Sequence, residues 1–188
     1  MNHFWQHITG WVGDTPTYRV ALDRAKDGDH FVELGVYLGK SAAFMAVEIA
    51  NRGLSIKFDA IDNFVGLTGG QFDKELYEGC LKNLEPVQDY VNIINEGSLD
   101  AVSRYADGSL AFIFIDAAHD YDSVIKDLRA WYPKLKPGGF FAGDDYSQDW
   151  PGVKQAVHEF AAEQNLEVVP IISPPHNAYH WSLLKREL

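Results

Sequence analysis

Residues 30–53 constrain the fold more than any other stretch. Residues 30–44 read HFVELGVYLGKSAAF, with an apolar run at Phe31, Val32 and Leu34 and glycines at Gly35 and Gly39. A helical pattern then runs through residues 41–50 and closes at Asn51-Arg52-Gly53. A buried strand, a glycine turn and a helix in direct succession form the opening unit of open α/β sheets. There, glycine lets backbone approach a nucleotide-like ligand, and the helix start offers N–H groups without intrahelical partners.

The remaining chain continues the alternation. Residues 55–62 form a second strand in which Ile56, Phe58 and Ala60 alternate with Lys57, Asp59 and Ile61, and the glycine-rich residues 63–70 follow as a loop. A helix over 73–85 is stopped by Pro86. A third strand spans 91–94, followed by Gly97-Ser98 and a short helix through Tyr105. Residues 110–116 are apolar up to Asp116, as expected of a central parallel strand. Then come a helix over 122–135 ending around Lys136-Pro-Gly-Gly139, a fifth strand over 140–145, a helix over 153–164 and a sixth strand over 167–172. A seventh strand over 180–185 returns after a connection too short for a parallel crossover, so it runs antiparallel. The expectation is one α/β domain over 1–188, a Rossmann-like doubly wound seven-stranded sheet, mostly parallel with an antiparallel last strand.

Residues 1–28 precede the sheet as a helical, aromatic-rich segment containing Phe4, Trp5, Trp11 and Tyr18. Its rings dock on the core, cover the pocket, or serve as a contact in a homodimer.

Spacing separates the ligands that such a turn can hold. A phosphate-binding loop needs four residues between its first glycine and Gly-Lys-Ser, whereas Gly35-Val-Tyr-Leu-Gly39-Lys40-Ser41 has three. A dinucleotide fingerprint fails because Tyr37 stands at its second glycine. With no phosphate to hold, Lys40 becomes a surface residue at the helix start.

Glu33-Leu-Gly35-Val-Tyr37-Leu-Gly39 resembles the first motif of class I S-adenosylmethionine-dependent methyltransferases, with Tyr37 replacing the middle glycine of its commonest form. Ala60-Ile-Asp62-Asn63, Phe112-Ile-Phe-Ile-Asp116-Ala-Ala-His119, Lys136-Pro-Gly-Gly139 and Asp144-Asp145-Tyr146 follow in that family's order. The resemblance implies S-adenosyl-L-methionine as cofactor. It puts Glu33, Gly35, Tyr37, Gly39 and Ser41 around the methionine end, Asp62 and Asn63 at the ribose, Ser98 at the adenine, and Asp116 towards the reacting methyl. A carboxylate about twenty residues beyond the turn, at the end of the second strand, is also where ribose hydroxyls are accepted in related folds.

Asp116 ends the fourth strand, and Asp144 and Asp145 end the fifth. Clustered carboxylates repel unless a proton or cation intervenes, and all-oxygen ligands suit Mg²⁺, Ca²⁺ or Mn²⁺. Asp116, Asp144 and Asp145 are therefore the expected metal ligands. The pattern is similar to metal-dependent catechol-type O-methyltransferases and to sugar O-methyltransferases of antibiotic biosynthesis, although Asp144-Asp145 stands where the catechol type has Asp-Asn. His119 occupies the place of that family's basic lysine, so the resemblance makes it the base beside Asp116. A histidine titrates in the right range, and it can equally be a further ligand or a structural group. A metal-independent methyltransferase, a non-catalytic cofactor-binding module and a phosphate binder using Lys40 and Ser41 are the alternatives.

The formal net charge of −11 disfavours contact with a phosphate backbone, so a small hydroxylated acceptor is expected rather than nucleic acid. No apolar run is long enough to span a bilayer, and no membrane partner is expected. The N-terminus lacks a signal-peptide pattern, and Cys80 stands alone, so a cytoplasmic protein without internal disulfides is expected.

Overall fold

A computed structural model of the chain describes residues 1–11, 16–66, 70–173 and 178–186. After a helix α1 (Pro16–Arg24), seven strands alternate with helices: β1 (His30–Leu34), α2 (Lys40–Arg52), β2 (Lys57–Asp62), α3 (Lys74–Leu84), β3 (Asn92–Asn95), α4 (Ser98–Ala101), β4 (Leu110–Ile115), α5 (Tyr121–Trp131), β5 (Leu135–Gly143), α6 (Pro151–Glu163), β6 (Val169–Ser173) and β7 (Ala178–Leu184). The sheet order is β3-β2-β1-β4-β5-β7-β6. The first five strands are parallel, and β7 lies antiparallel between β5 and β6. This is the doubly wound arrangement expected from the alternation.

Side-chain alternation assigns the two faces of the sheet. Phe31, Phe58, Phe112 and Phe114 point to one face, where they pack with Tyr18 of α1 and Phe44 of α2. Val32, Leu34, Ile113 and Ile115 point to the other and meet Leu128 and Trp131 of α5 and Val157 and Phe160 of α6. Glu33 shares the first face and is driven under α1 and α2, where it is 1 % exposed. Tyr18, Ala21 and Leu22 are fully buried, so α1 docks on the core.

The structure departs from expectation at residues 132–139. The expected helix over 122–135 stops at Trp131, and a single 3₁₀ turn containing Pro133 carries the chain into β5. That strand starts at Leu135, five residues earlier than expected. The glycines of Lys136-Pro-Gly-Gly139 do not end it, because the chain beyond β7 supplies partners: Gly138 N–H donates to the Lys185 carbonyl at 2.9 Å, and Lys185 N–H to that of Gly139 at 3.1 Å. A register shift between Leu110 and Phe112 absorbs the irregularity on β4. The connection between β6 and β7, with His176, and residues 67–69 of the loop after β2 lie outside the described residues. Among the described residues, no helix is long and apolar enough to cross a membrane.

Candidate functional site

The carboxyl ends of β1, β2, β4 and β5 meet at one edge of the sheet. Two glycines permit this. A Cβ on Gly35 would overlap the Asp116 carbonyl, and one on Gly143 would lie 2.5 Å from both the Ile115 carbonyl oxygen and Trp181. Backbone strain concentrates at the same edge. Tyr37 (φ 51°), Phe64 (φ 50°) and Asp145 (φ 60°) all adopt left-handed conformations just beyond β1, β2 and β5. Each costs about 1–3 kcal/mol and persists only where its surroundings hold it.

Asp62 holds the glycine turn. Its Oδ2 accepts the N–H groups of Val36 at 2.8 Å and Tyr37 at 2.9 Å, and its Oδ1 accepts Phe64 N–H at 2.7 Å. The residue expected at the ribose thus spends both oxygens on the backbone of two loops, including two of the strained residues. Asn63, beside it, is exposed and caps Val65 N–H at 3.3 Å.

Beneath the turn, Glu33 and Ser41 meet in a buried polar group over which Tyr18 of α1 is laid. The Ser41 hydroxyl donates to Glu33 Oε1, and the Tyr18 hydroxyl shares the same pocket. Burial pushes the Glu33 carboxyl up to about 7, against the hydrogen bonds that would lower it. Its Oε2 is buried and has no hydrogen-bond partner among the described residues. An unpaired buried carboxylate oxygen costs free energy unless a donor or cation reaches it. The donor set therefore fits the ammonium of an amino-acid moiety lying along Gly35–Gly39. Ser98, expected at the adenine, donates its hydroxyl to Asp127 of α5 at 2.6 Å, and burial raises the Asp127 carboxyl to about 6.

The acids converge as the strand order requires, with one change of partner. Single ligand atoms of Asp116, His119 and Asp145 lie within 4.8 Å of one another. His119 Nε2 is 2.7 Å from Asp145 Oδ2, and its ring lies 4.3 Å from that of Trp150. Asp144 lines the same cleft but is not one of these three. Its Oδ1 accepts Asp145 N–H at 2.7 Å and lies 3.3 Å from His180 Nε2. The carboxylate pair expected as joint ligands is thereby split: Asp145, in the left-handed region just past β5, meets His119, while Asp144 takes the Asp145 N–H and lies beside His180. Ala117, Ala118, His119, Asp144, Asp145 and Trp181 line the small cleft between them.

Electrostatics follow from this crowding. Burial, then the charges of Asp144 and Asp145, hold the Asp116 carboxyl well above the usual carboxylate range. Burial raises Asp144 to about 7. The hydrogen bond that His119 donates to the Asp145 carboxylate raises its pKa, and burial lowers His180 to about 4. Three carboxyl groups this close resist ionising together, the condition in which a proton or a cation is held among them.

Two further residues escaped the sequence reading. His180 is fully buried and joins Asp144 to Thr17 of α1 through Nδ1···Oγ1 at 2.7 Å. A histidine two residues before Ser182, on one face of a strand whose other face carries Trp181 and Leu183, was the available signal. Trp150 covers His119, and Lys40 is half-buried, donating to the Gly10 carbonyl at 2.8 Å instead of standing free on the surface. Tyr121 and Tyr146, which flank the acids in sequence, bond Glu159 and His158 of α6.

A parallel sheet with an antiparallel strand beside β5, a ligand turn after β1 and acids after β4 and β5 define a class I S-adenosylmethionine-dependent methyltransferase fold. Residues 32–146 match a family described as a methyltransferase domain, and the chain belongs to that family. It is 28 % identical over 153 residues to an uncharacterized protein of Acanthamoeba polyphaga mimivirus, a match covering 73 % of this chain and 62 % of the viral protein. The fold is similar to an S-adenosylmethionine-dependent O-methyltransferase from Thermotoga maritima (TM-score 0.64, 17 % identity, 95 % of this chain and 68 % of that one). It is also similar to the O-methyltransferase NovP (TM-score 0.68, 21 % identity, 92 % and 77 %). A third similar structure is a putative rRNA-methylase from Clostridium thermocellum (TM-score 0.67, 16 % identity, 92 % and 95 %).

Proposed function

We propose that the protein transfers the methyl group of S-adenosylmethionine to a hydroxyl oxygen of a small molecule, with a divalent cation held by Asp116, His119 and Asp145. The convergence of these three side chains within 4.8 Å, at the end of the sheet beside the cofactor turn, carries the reading. A cation there would lower the pKa of a hydroxyl brought to it. The mixed oxygen and nitrogen set favours Mn²⁺ or Zn²⁺ over Mg²⁺ or Ca²⁺. Glu33 and the backbone from Gly35 to Gly39 hold the methionine end, and Asp62 fixes the turn that does so. Asp144, the remaining carboxylate lining the cleft, takes the hydroxyl proton as the oxygen–methyl bond forms and the sulfur–methyl bond breaks. The products are a methyl ether and S-adenosylhomocysteine. The protein's part is chiefly to align donor and acceptor. A chain of net charge −11 suits an uncharged or cationic acceptor better than RNA.

A second reading is favoured by the 2.7 Å contact between His119 and Asp145. An aspartate that orients an imidazole through Nε2 leaves Nδ1 as the basic nitrogen, so the pair can deprotonate an acceptor without metal.

Titration calorimetry with S-adenosylhomocysteine, together with a mass-spectrometric methylation screen of phenols, sugars and an rRNA oligonucleotide, tests the proposal. Absence of binding with and without Mn²⁺ would overturn the class of reaction. Methylated RNA would overturn the acceptor. Activity that survives chelation selects the metal-free pair. Under the metal reading, Asp116→Asn should weaken Mn²⁺ binding by about tenfold or more, read by calorimetry.

A further inference from the structure

The first eleven residues are anchored on α2 at three points. The Met1 ammonium donates to Asn51, whose side-chain amide returns a hydrogen bond to the Met1 carbonyl at 2.9 Å. His3 meets Glu48 at 2.8 Å and stacks on Phe44 with centroids 5.1 Å apart. The third anchor is Lys40. Its ammonium donates to the Gly10 carbonyl at 2.8 Å and lies 5.9 Å from the centre of the Trp5 ring. The Gly10 backbone also rests on the stem of Lys40 and on the Tyr37 ring: a Cβ there would sit 3.5 Å from Lys40 Cβ and Cδ and 4.0 Å from Tyr37 Cδ1.

The next residue is Trp11. Its ring centre is 5.4 Å from that of Tyr37, yet the residue is 69 % exposed. Tyr37 itself is fixed, with its N–H held by Asp62 and its φ in the left-handed region. The Trp11 ring thus stands, largely exposed, against the glycine turn, beside a residue whose backbone Asp62 holds. Lys40 is the residue that follows Gly39, where no phosphate fits.

We propose that Lys40 is a positioning residue that, by fixing the Gly10 carbonyl, holds Trp11 against Tyr37 as an aromatic wall of the cofactor pocket. The inference rests on the methyltransferase reading of the turn. Its ligand is the amino-acid end of S-adenosylmethionine or S-adenosylhomocysteine, which the two rings shield from water. The other two anchors lie further along α2, so loss of the Lys40 contact frees only the Gly10–Trp11 end.

Lys40→Met keeps the stem and removes the donor. Calorimetry with S-adenosylhomocysteine on the full chain should show Lys40→Met and Trp11→Ala each weakening binding by about fivefold to tenfold, with Lys40→Arg partly restoring it. The double variant should lose no more than either single one, because both remove the same wall. The thermal midpoint should stay near that of the wild type, which a merely structural role would not allow. Unchanged affinity in Lys40→Met, or additive losses in the double variant, would overturn the proposal. A wild-type protein that binds no S-adenosylhomocysteine would overturn the methyltransferase reading and the wall's role with it. Amide exchange at Gly10 and Trp11 without ligand then still judges the tether. Faster exchange confined to these residues in Lys40→Met supports it, and unchanged exchange overturns it.

Discussion

Glu33 is a carboxyl group kept from water by two helices, with one oxygen satisfied by Ser41 and the other without a partner among the described residues. Its raised pKa of about 7 means that below this pH the ligand-free protein carries it neutral. An arriving ammonium favours the carboxylate, so binding should release a proton between about pH 6 and 7. Affinity should accordingly rise with pH up to about 7 and level off above it. Calorimetry in phosphate and in Tris, whose ionisation enthalpies differ, should give different apparent enthalpies at pH 6.5. Glu33→Gln should remove that difference and weaken binding by about tenfold at pH 8. The motif residue was readable because strand and turn are contiguous in the chain. Its protonation was not, because Tyr18 and the whole of α1 had to be laid over it first. The same limit applied at the acids. Strand order brought Asp116, Asp144 and Asp145 to one edge, but only side-chain directions exchange Asp144 for His119 as the partner of the other two. The Thr17–His180 contact joins residues 163 positions apart, and no local pattern announces it.

At the scale of elements, α5 carries a cost that a substitution can expose. Asp127 is 4 % exposed, and burial lifts its pKa from 3.8 to about 6. The native state therefore holds the extra proton across this window. The contribution to stability is full below about pH 3.8 and is lost as pH rises through about 6. Asp127→Asn keeps an acceptor for Ser98 and removes the charge. It should raise unfolding free energy by about 1–2 kcal/mol at pH 7.5 and by little at pH 4, measured by urea denaturation. Element types were legible almost throughout, since apolar strands and amphipathic helices alternate with clear stops. The exception, β5, shows where local rules end. Lys136-Pro-Gly-Gly139 has the composition of a turn, yet its hydrogen bonds go to Lys185, a partner nearly fifty positions away.

For the whole molecule, the N-terminal region divides into two parts of different weight. Residues 1–11 lie against α2, whereas α1 buries Tyr18, Ala21 and Leu22 and places Thr17 against His180. Deleting 1–11 should leave a folded protein with a modest loss of stability. Deleting 1–28 should cost on the order of 5 kcal/mol or abolish folding, because several fully buried side chains go with it. Urea unfolding curves of the two truncations distinguish these outcomes. The sheet order has a further consequence for how the chain is made. Because β7 is wedged between β5 and β6, β6 leaves the ribosome before it has any neighbour with which to pair. Five parallel strands can assemble during synthesis, but the far edge of β5, with Phe141, stays open until Leu184 clears the exit tunnel. For that interval the nascent chain displays an unpaired apolar edge and a loose strand, the state in which a chaperone, or another nascent copy, finds something to hold.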